Sequence, residues 1–282
     1  MKSEGQGAPR AVSADRAQSA LGALLANTTG FLKTTLVIVE LEMRKIRHEP
    51  TAIIARTIQP LLWLVVFSQV FSRLKLIPTG DMSYTAFMAP GIVAQAALFS
   101  AMFYGMAIIR DRDLGIVYKF MVSPMPRVSF ALGKALAASV RCIPPACIIY
   151  VSSSLLGVKI NWNPLAILGV FVVVILGAAL FTSLAVSLAC IVKTQERFMG
   201  LSQFLTMPLF LASNAIYPLA IMPEWLRLLS RLNPLTYQVD ALRALMLGTV
   251  SIYGIGFDLL VLLGTTTVLV LIAGKLVPRL VS

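Results

Sequence analysis

Six runs of apolar residues, at 51–71, 84–109, 128–156, 164–192, 198–217 and 256–277, limit this chain more than any other feature. Each holds about 20 residues or more, the length a helix needs to cross the hydrocarbon layer of a membrane. In lipid a backbone N–H finds no water, so a spanning segment must satisfy its own hydrogen bonds, as a helix does. The pattern predicts an all-α integral membrane protein with six transmembrane helices. Composition agrees. Only 13% of the 282 residues are charged and the mean hydropathy is +0.85, whereas a soluble domain carries about a quarter charged residues. Pro60, Pro90-Gly91, Pro144-Pro145 and Pro208 fall inside the runs and predict kinks that neighbouring helices can accommodate.

The net charge of +12 would suggest nucleic acid for a soluble chain. Here the positive-inside bias of membrane loops explains it first, so no nucleic-acid partner is inferred. With the amino terminus inside, the inner segments hold 16 Lys and Arg and the outer loops hold 6. That bias predicts both termini in the cytoplasm. Cys142, Cys147 and Cys190 lie in apolar runs and read as packing residues, not as a disulfide framework or zinc site. His48 is the sole histidine, which weakens any scheme needing a His base or a His-rich metal site.

The chain divides into three parts. Residues 1–30 are rich in Ala, Ser, Gly and Gln, lack a signal-peptide pattern, and predict a disordered cytoplasmic tail. Residues 31–49 place Leu32, Leu36, Val39, Met43 and Ile46 on one helical face, with Glu40 and Arg44 as a favourable i, i+4 pair. They predict an interfacial amphipathic helix, resting on the inner leaflet or on a partner. Residues 50–282 are expected to form one transmembrane domain with the six spans. Between spans five and six, Pro223 to Leu232, including Trp225, forms an amphipathic helix, and Asn233-Pro234 breaks it. A second helix runs from Leu235 to Leu247 with Tyr237, an Asp240–Arg243 i, i+3 pair, and Gly248 at its end. Together they predict a re-entrant helical hairpin dipping in from the outer side.

The densest charge lies at 110–124, between the second and third runs. Leu114, Val117, Tyr118 and Met121 follow helical spacing, with Asp111 and Asp113 where a helix start favours negative charge. Gly115 permits a sharp turn, and Ser123-Pro124 stops the helix before Arg127. By itself this is a surface helix on lipid headgroups or a docking helix. Two further faces stand out. Gln95, Phe99, Met102 and Met106 share helical spacing in the second span, as do Gln203, Met207, Phe210, Asn214 and Tyr217 in the fifth. Such stripes are commonly packing, and an amide in a span often bonds to a neighbouring helix. Lys134 and Asp258 sit near span ends and are expected to reach the interface by snorkelling. The depth of Arg141 stays open beside Pro144-Pro145.

Acid-Arg-acid-x-Gly followed by an apolar helix, Ser-Pro and Arg127 resembles the first cytoplasmic loop of type-2 ATP-binding-cassette (ABC) export permeases. Asp111 and Asp113 stand where that family usually has Glu. Asn233-Pro234-Leu235-Thr236-Tyr237, then Asp240-Ala241-Leu242-Arg243, resembles the family's carboxy-terminal signature, and Tyr217-Pro218-Leu219 with Pro223, Trp225 and Leu226 fits just upstream. The likeness covers nearly everything after the tail and is nearest the drug and nodulation-factor export branch.

The resemblance implies the membrane subunit of an exporter in the bacterial plasma (inner) membrane, a homodimer working with two copies of a separate ATPase. That partner would bind ATP and Mg. Asp111, Arg112, Asp113, Leu114, Gly115, Val117, Met121, Pro124 and Arg127 would form the loop that docks on it, and the second and fifth spans would line the path. The substrate would be amphipathic or lipid-like; the alternative is a lipid-linked polysaccharide of the O-antigen or teichoic-acid kind. No phosphate loop is present, since Gly133-Lys134 lacks the upstream glycine. The chain is therefore expected to be a transport permease without its own ATPase site, cofactor or metal. Proton-coupled antiport needs carboxylates within spans, and only Asp258 is available. A membrane transferase would need clustered carboxylates or histidines, and none appears.

Overall fold

The computed structural model describes residues 36, 40, 57–74, 82–118, 127–192 and 194–280. Their regular elements are all helical. Residues 57–62 are helical and run through a π-helical turn, Trp63–Phe67, into α1 (Ser68–Leu74). Then come α2 (Tyr84–Asp113), α3 (Arg127–Leu155), α4 (Pro164–Ile191), α5 (Gln195–Leu211), α6 (Glu224–Leu232), α7 (Pro234–Leu247) and α8 (Ile255–Leu276). Four of these, α2, α3, α4 and α8, are long and apolar enough to cross a membrane. They match the second, third, fourth and sixth runs.

The other two runs give less. The first falls partly outside the described residues. The fifth forms α5, which begins earlier than expected and stops at Leu211, 17 residues long. There the amides of Ala212 and Ser213 bond to the carbonyls of Pro208 (2.8 Å) and Phe210 (3.2 Å), tightening the chain into a turn before 217. The tail at 1–30, and the interfacial helix at 31–49 apart from the helical, exposed Leu36 and Glu40, lie outside the described residues.

Helix starts follow local chemistry. The Ser83 hydroxyl accepts from the Ala86 amide at 3.2 Å, Asn163 precedes Pro164 and accepts from the Leu165 amide at 3.1 Å, and Thr194 accepts from the Arg197 amide at 3.3 Å. Each satisfies a donor that a helix start leaves without a carbonyl partner. Pro90, Pro144 and Pro145 lie inside continuous helices.

The bundle is organised around α2. In its most apolar stretch 78% of residues are buried, against 22% for α8. Small residues bring the backbones close, as association in lipid requires. A Cβ on Gly91 would lie 2.7 Å from the Ala215 backbone, and one on Gly105 would lie 2.3 Å from the Phe198 ring. The 57–74 helix attaches through aromatic rings: Trp63 stacks on Phe67 (4.2 Å), Phe67 on Phe71 (5.9 Å), and Phe71 meets Tyr84 (5.7 Å). At one end of the bundle the Asn161 amide bonds to the Met246 carbonyl at 2.7 Å, so the 156–163 connection sits beside the end of α7. The opposite end carries the turn after Asp113 and the start of α3, where Val128 packs on Gly274.

Candidate functional site

Three regions hold the residues singled out from sequence. At the charged turn, α2 runs four residues beyond the predicted 109 and ends at Asp113. Asp111 and Asp113 therefore stand in the last turn of α2, not the first turn of the next helix. Negative charge is disfavoured there by the helix dipole, and cations offset it. The Asp111 carboxylate meets Lys134 Nζ at 2.8 Å with both side chains buried, while Asp113 pairs with Arg112 at 2.8 Å near the surface. Lys134 does not snorkel outward as expected. Its ammonium lies 5.7 Å from the ring centres of both Tyr104 and Phe130. Arg141, one helical stretch further along, stacks over Tyr104 at 5.3 Å.

Gly115 has φ +71° and donates its amide to the Arg112 carbonyl at 2.9 Å. This is a left-handed helix terminus, and a Cβ there would meet nothing within 4 Å. Backbone conformation, not crowding, is what requires glycine. Residues 116–118 are helical again. Leu114 is 68% exposed and Tyr118 50%, whereas Val117 is 1% exposed and packs in the core of the helix bundle. Met121 and Pro124 lie outside the described residues, and Arg127 opens α3.

The second region is a cleft of about 90 Å³ between the 57–74 helix, α2 and α5. Phe99, Met102 and Met106 of α2 and Gln203 and Met207 of α5, five of the nine predicted lining residues, border it together. Sequence reasoning missed Gln59, Phe103, Phe198, Met199, Ser202 and Thr206, which complete the walls. Helical spacing pointed to one stripe on each helix, but a cleft takes the edges of the neighbouring stripes too. The other four candidates lie elsewhere. Gln95 and Asn214 are buried, Phe210 packs edge-on against Trp63 at 6.3 Å, and the Tyr217 hydroxyl donates to the Leu211 carbonyl.

The third region joins α6 to α7. Asn233 accepts from the Leu235 amide at 3.0 Å and donates to the Leu209 carbonyl at 2.6 Å, so one side chain caps α7 and anchors α5. Tyr237 donates to the Arg231 carbonyl at 2.7 Å. α6 exposes Trp225, Leu228 and Leu232, while α7 is buried among α2, α4 and α8. Asp240 still acts electrostatically on Arg243, but the expected pair makes no direct contact. Arg243 donates instead to the carbonyls of Asn214 (2.7 Å) and Phe87 (3.2 Å) and lies 4.0 Å over the Phe87 ring. Asp240 accepts from Ser251 Oγ (2.9 Å) and the amides of Ile252 (2.8 Å) and Tyr253 (3.2 Å). Three residues apart, the two side chains point to different neighbours because each serves backbone groups of a different segment. Asp258, expected to snorkel, is fully buried with the Ser251 hydroxyl 3.0 Å away.

Comparison with known proteins is consistent across the chain. It is 24% identical over 237 residues, 84% of its length and 83% of the relative's, to the daunorubicin resistance ABC transporter permease protein DrrB1 of Streptomyces coeruleorubidus. It is 28% identical over 217 residues, 76% of its length and 74% of the relative's, to ycf38 of Cyanophora paradoxa, a transport permease by name. YbhR of Escherichia coli (strain K12), by name a multidrug ABC transporter permease, is 27% identical over 191 residues, covering 66% of this chain and 51% of the relative. Residues 34–247 match the family described as ABC-2 type transporter, which takes in the charged turn, the cleft and the α6–α7 junction alike. With its long apolar helices, the chain belongs to the ABC-2 type transporter family as a transmembrane permease subunit, of a type that works with an ABC ATPase.

Proposed function

We propose that this permease, as a homodimer in the bacterial plasma (inner) membrane, exports an amphipathic or lipid-like substrate. ATP and Mg would be bound by two copies of a separate ATPase subunit. The observation that carries the reading is the cleft. Among the described residues its walls are aromatic, Met, amide and hydroxyl side chains, with no Lys, Arg, Asp or Glu. An apolar surface with a few neutral polar groups suits an amphipathic ligand, and Met adapts to varied shapes. DrrB1, named for daunorubicin resistance, supports the same substrate class. A glycan-conducting path would call for a continuous aromatic lane, which Met102, Met106 and Met207 interrupt.

In this reading six spans cross the membrane with both termini cytoplasmic, residues 1–30 form a cytoplasmic tail, 31–49 rest on the inner leaflet, and α6–α7 dip in from the outer side. The loop between α2 and α3 docks on the ATPase through exposed Leu114 and Tyr118, with Met121 and Pro124 beyond them. Arg112, Asp113 and Arg127 supply rim charges worth little individually. Val117 braces the loop from inside. ATP binding closes the ATPase dimer, pushes the loop and rocks the spans apart on the outer side.

The test is ATP-dependent uptake of daunorubicin into inside-out vesicles carrying the permease and its ATPase. Wild type should accumulate the drug, and Met207→Trp, which fills the cleft, should abolish accumulation while the complex still co-purifies. Unchanged uptake in Met207→Trp would remove the cleft from the path. Failure to move any amphipathic probe, with uptake of a lipid-linked glycan instead, would favour the polysaccharide alternative.

A further inference from the structure

We propose that the buried Asp111–Lys134 pair is a cross-brace that makes α2 and α3 respond as one body when the intervening loop is displaced. The two residues position the loop without touching the ATPase. The inference rests on the docking reading of that loop.

Location is the first argument. Asp111 lies in the last turn of α2 and Lys134 in the third turn of α3, so their 2.8 Å contact closes the base of the segment that connects the two helices. The second argument is energetic. A carboxylate at the carbonyl end of a helix opposes the helix dipole, so Asp111 does not serve α2 itself. Nor is a buried ion pair an efficient stabiliser, because desolvation cancels most of the attraction and apolar residues of similar volume often do as well. What such a pair supplies is register: it holds these two residues, one on each helix, at one distance. The third argument is rigidity. Lys134 is 3% exposed, and its ammonium lies beside the rings of Tyr104 on α2 and Phe130 on α3, so the contact cannot swing freely. Gly115 supplies the contrast. It is a left-handed glycine with open space around its Cβ position, four residues beyond Asp111. Without the brace, a push on Leu114 and Tyr118 would be absorbed at Gly115 or delivered to α2 alone. Arg112–Asp113, the neighbouring pair, joins adjacent residues of α2 near the surface.

The experiment measures ATP hydrolysis by the full permease–ATPase complex in nanodiscs, relative to the ATPase alone, together with co-purification and the thermal midpoint. The apolar pair Asp111→Leu/Lys134→Met removes the charges while keeping volume. It should co-purify and melt near wild type, yet lose about tenfold of permease-dependent stimulation, the size of a typical coupling term. The conservative pair Asp111→Glu/Lys134→Arg keeps an ion pair and should retain stimulation. Wild-type stimulation in the apolar pair would overturn the brace, since simple filling would then suffice. If the apolar pair does not assemble, Asp111→Asn is measured instead, and full stimulation there overturns the inference equally. Leu114→Asp/Tyr118→Asp addresses the underlying reading separately: it should abolish co-purification. Intact co-purification and stimulation in that variant would overturn the docking reading and the brace with it.

Discussion

The cleft and the α7 junction both contain polar side chains among apolar helices, and they use them in opposite ways. Around α7, Asn233, Asp240 and Arg243 are each committed to backbone groups of other segments, and all are buried. In the cleft, Gln203 lies exposed on α5 beside Ser202 and Thr206, whose hydroxyls bond only to carbonyls of their own helix. The first arrangement joins helices that must not separate. The second leaves a surface that can change partners. A polar residue in a membrane helix is therefore not evidence of a path until its partners are known.

Four substitutions test that contrast, beginning with the largest expected effect. Phe210→Ala should behave as a core deletion despite its place on a predicted lining stripe, because the ring is 1% exposed and packs on Trp63. A loss of about 3–5 kcal/mol is expected, read as a large drop in the thermal midpoint of the purified permease. A normal midpoint with altered drug export would return Phe210 to the path and blur the distinction.

Arg243→Ala leaves the Asn214 and Phe87 carbonyls without their shared donor. The expected cost is about 3 kcal/mol, and Arg243→Lys should recover little of it, since an ammonium lacks the planar face that stacks on Phe87 while Arg243 Nη2 serves both carbonyls. Full recovery by Lys would show that charge alone matters there. Gly91→Ala comes next, at about 1–3 kcal/mol, because the added Cβ meets Ala215 backbone atoms at 2.7 Å. Unfolding measured in detergent should show this, and an unchanged midpoint would mean that the turn after α5 is not fixed to α2. Smallest is Gln203→Ala, which should change stability by less than about 0.5 kcal/mol while shifting the relative export of drugs that differ in hydrogen-bonding groups. If it destabilises as much as Gly91→Ala, the cleft is packing and the comparison fails.

What the sequence made legible was mostly local. Apolar length gave α3, α4 and α8 to within one residue at each end and α2 to within four, Asn233-Pro234 marked the α6–α7 break, and Gly248 closes α7 at φ +68° as read. The failures share a cause. Spacing alone places Lys134 and Asp258 at the interface and Arg243 beside Asp240, but their hydrogen-bond partners lie on other segments: Asp111 is 23 positions from Lys134, and Phe87 is 156 from Arg243. Helical periodicity assigns a side chain to a face and cannot say which neighbour covers that face. Val117 shows this most simply, sharing a stripe with Leu114 yet turning into the core, because the left-handed step at Gly115 breaks the period between them. The cleft was half legible for the same reason. Its α2 and α5 stripes follow periodicity, whereas Gln59 comes from a helix whose approach no pattern announces.

The π turn at Trp63–Phe67, where the Ser68 amide reaches back five residues to the Trp63 carbonyl, bears on how such a cleft can diverge. A π turn is an α-helix carrying one extra residue. Deleting any one residue within it would restore the ordinary ladder and rotate residues 57–62 by about 100° relative to α1. Gln59 would then leave the cleft, and a different side chain would face Met102 and Gln203. Insertion and deletion, usually confined to loops, thus become a means of respecifying a buried surface here, replacing what it presents without a single substitution among its other walls.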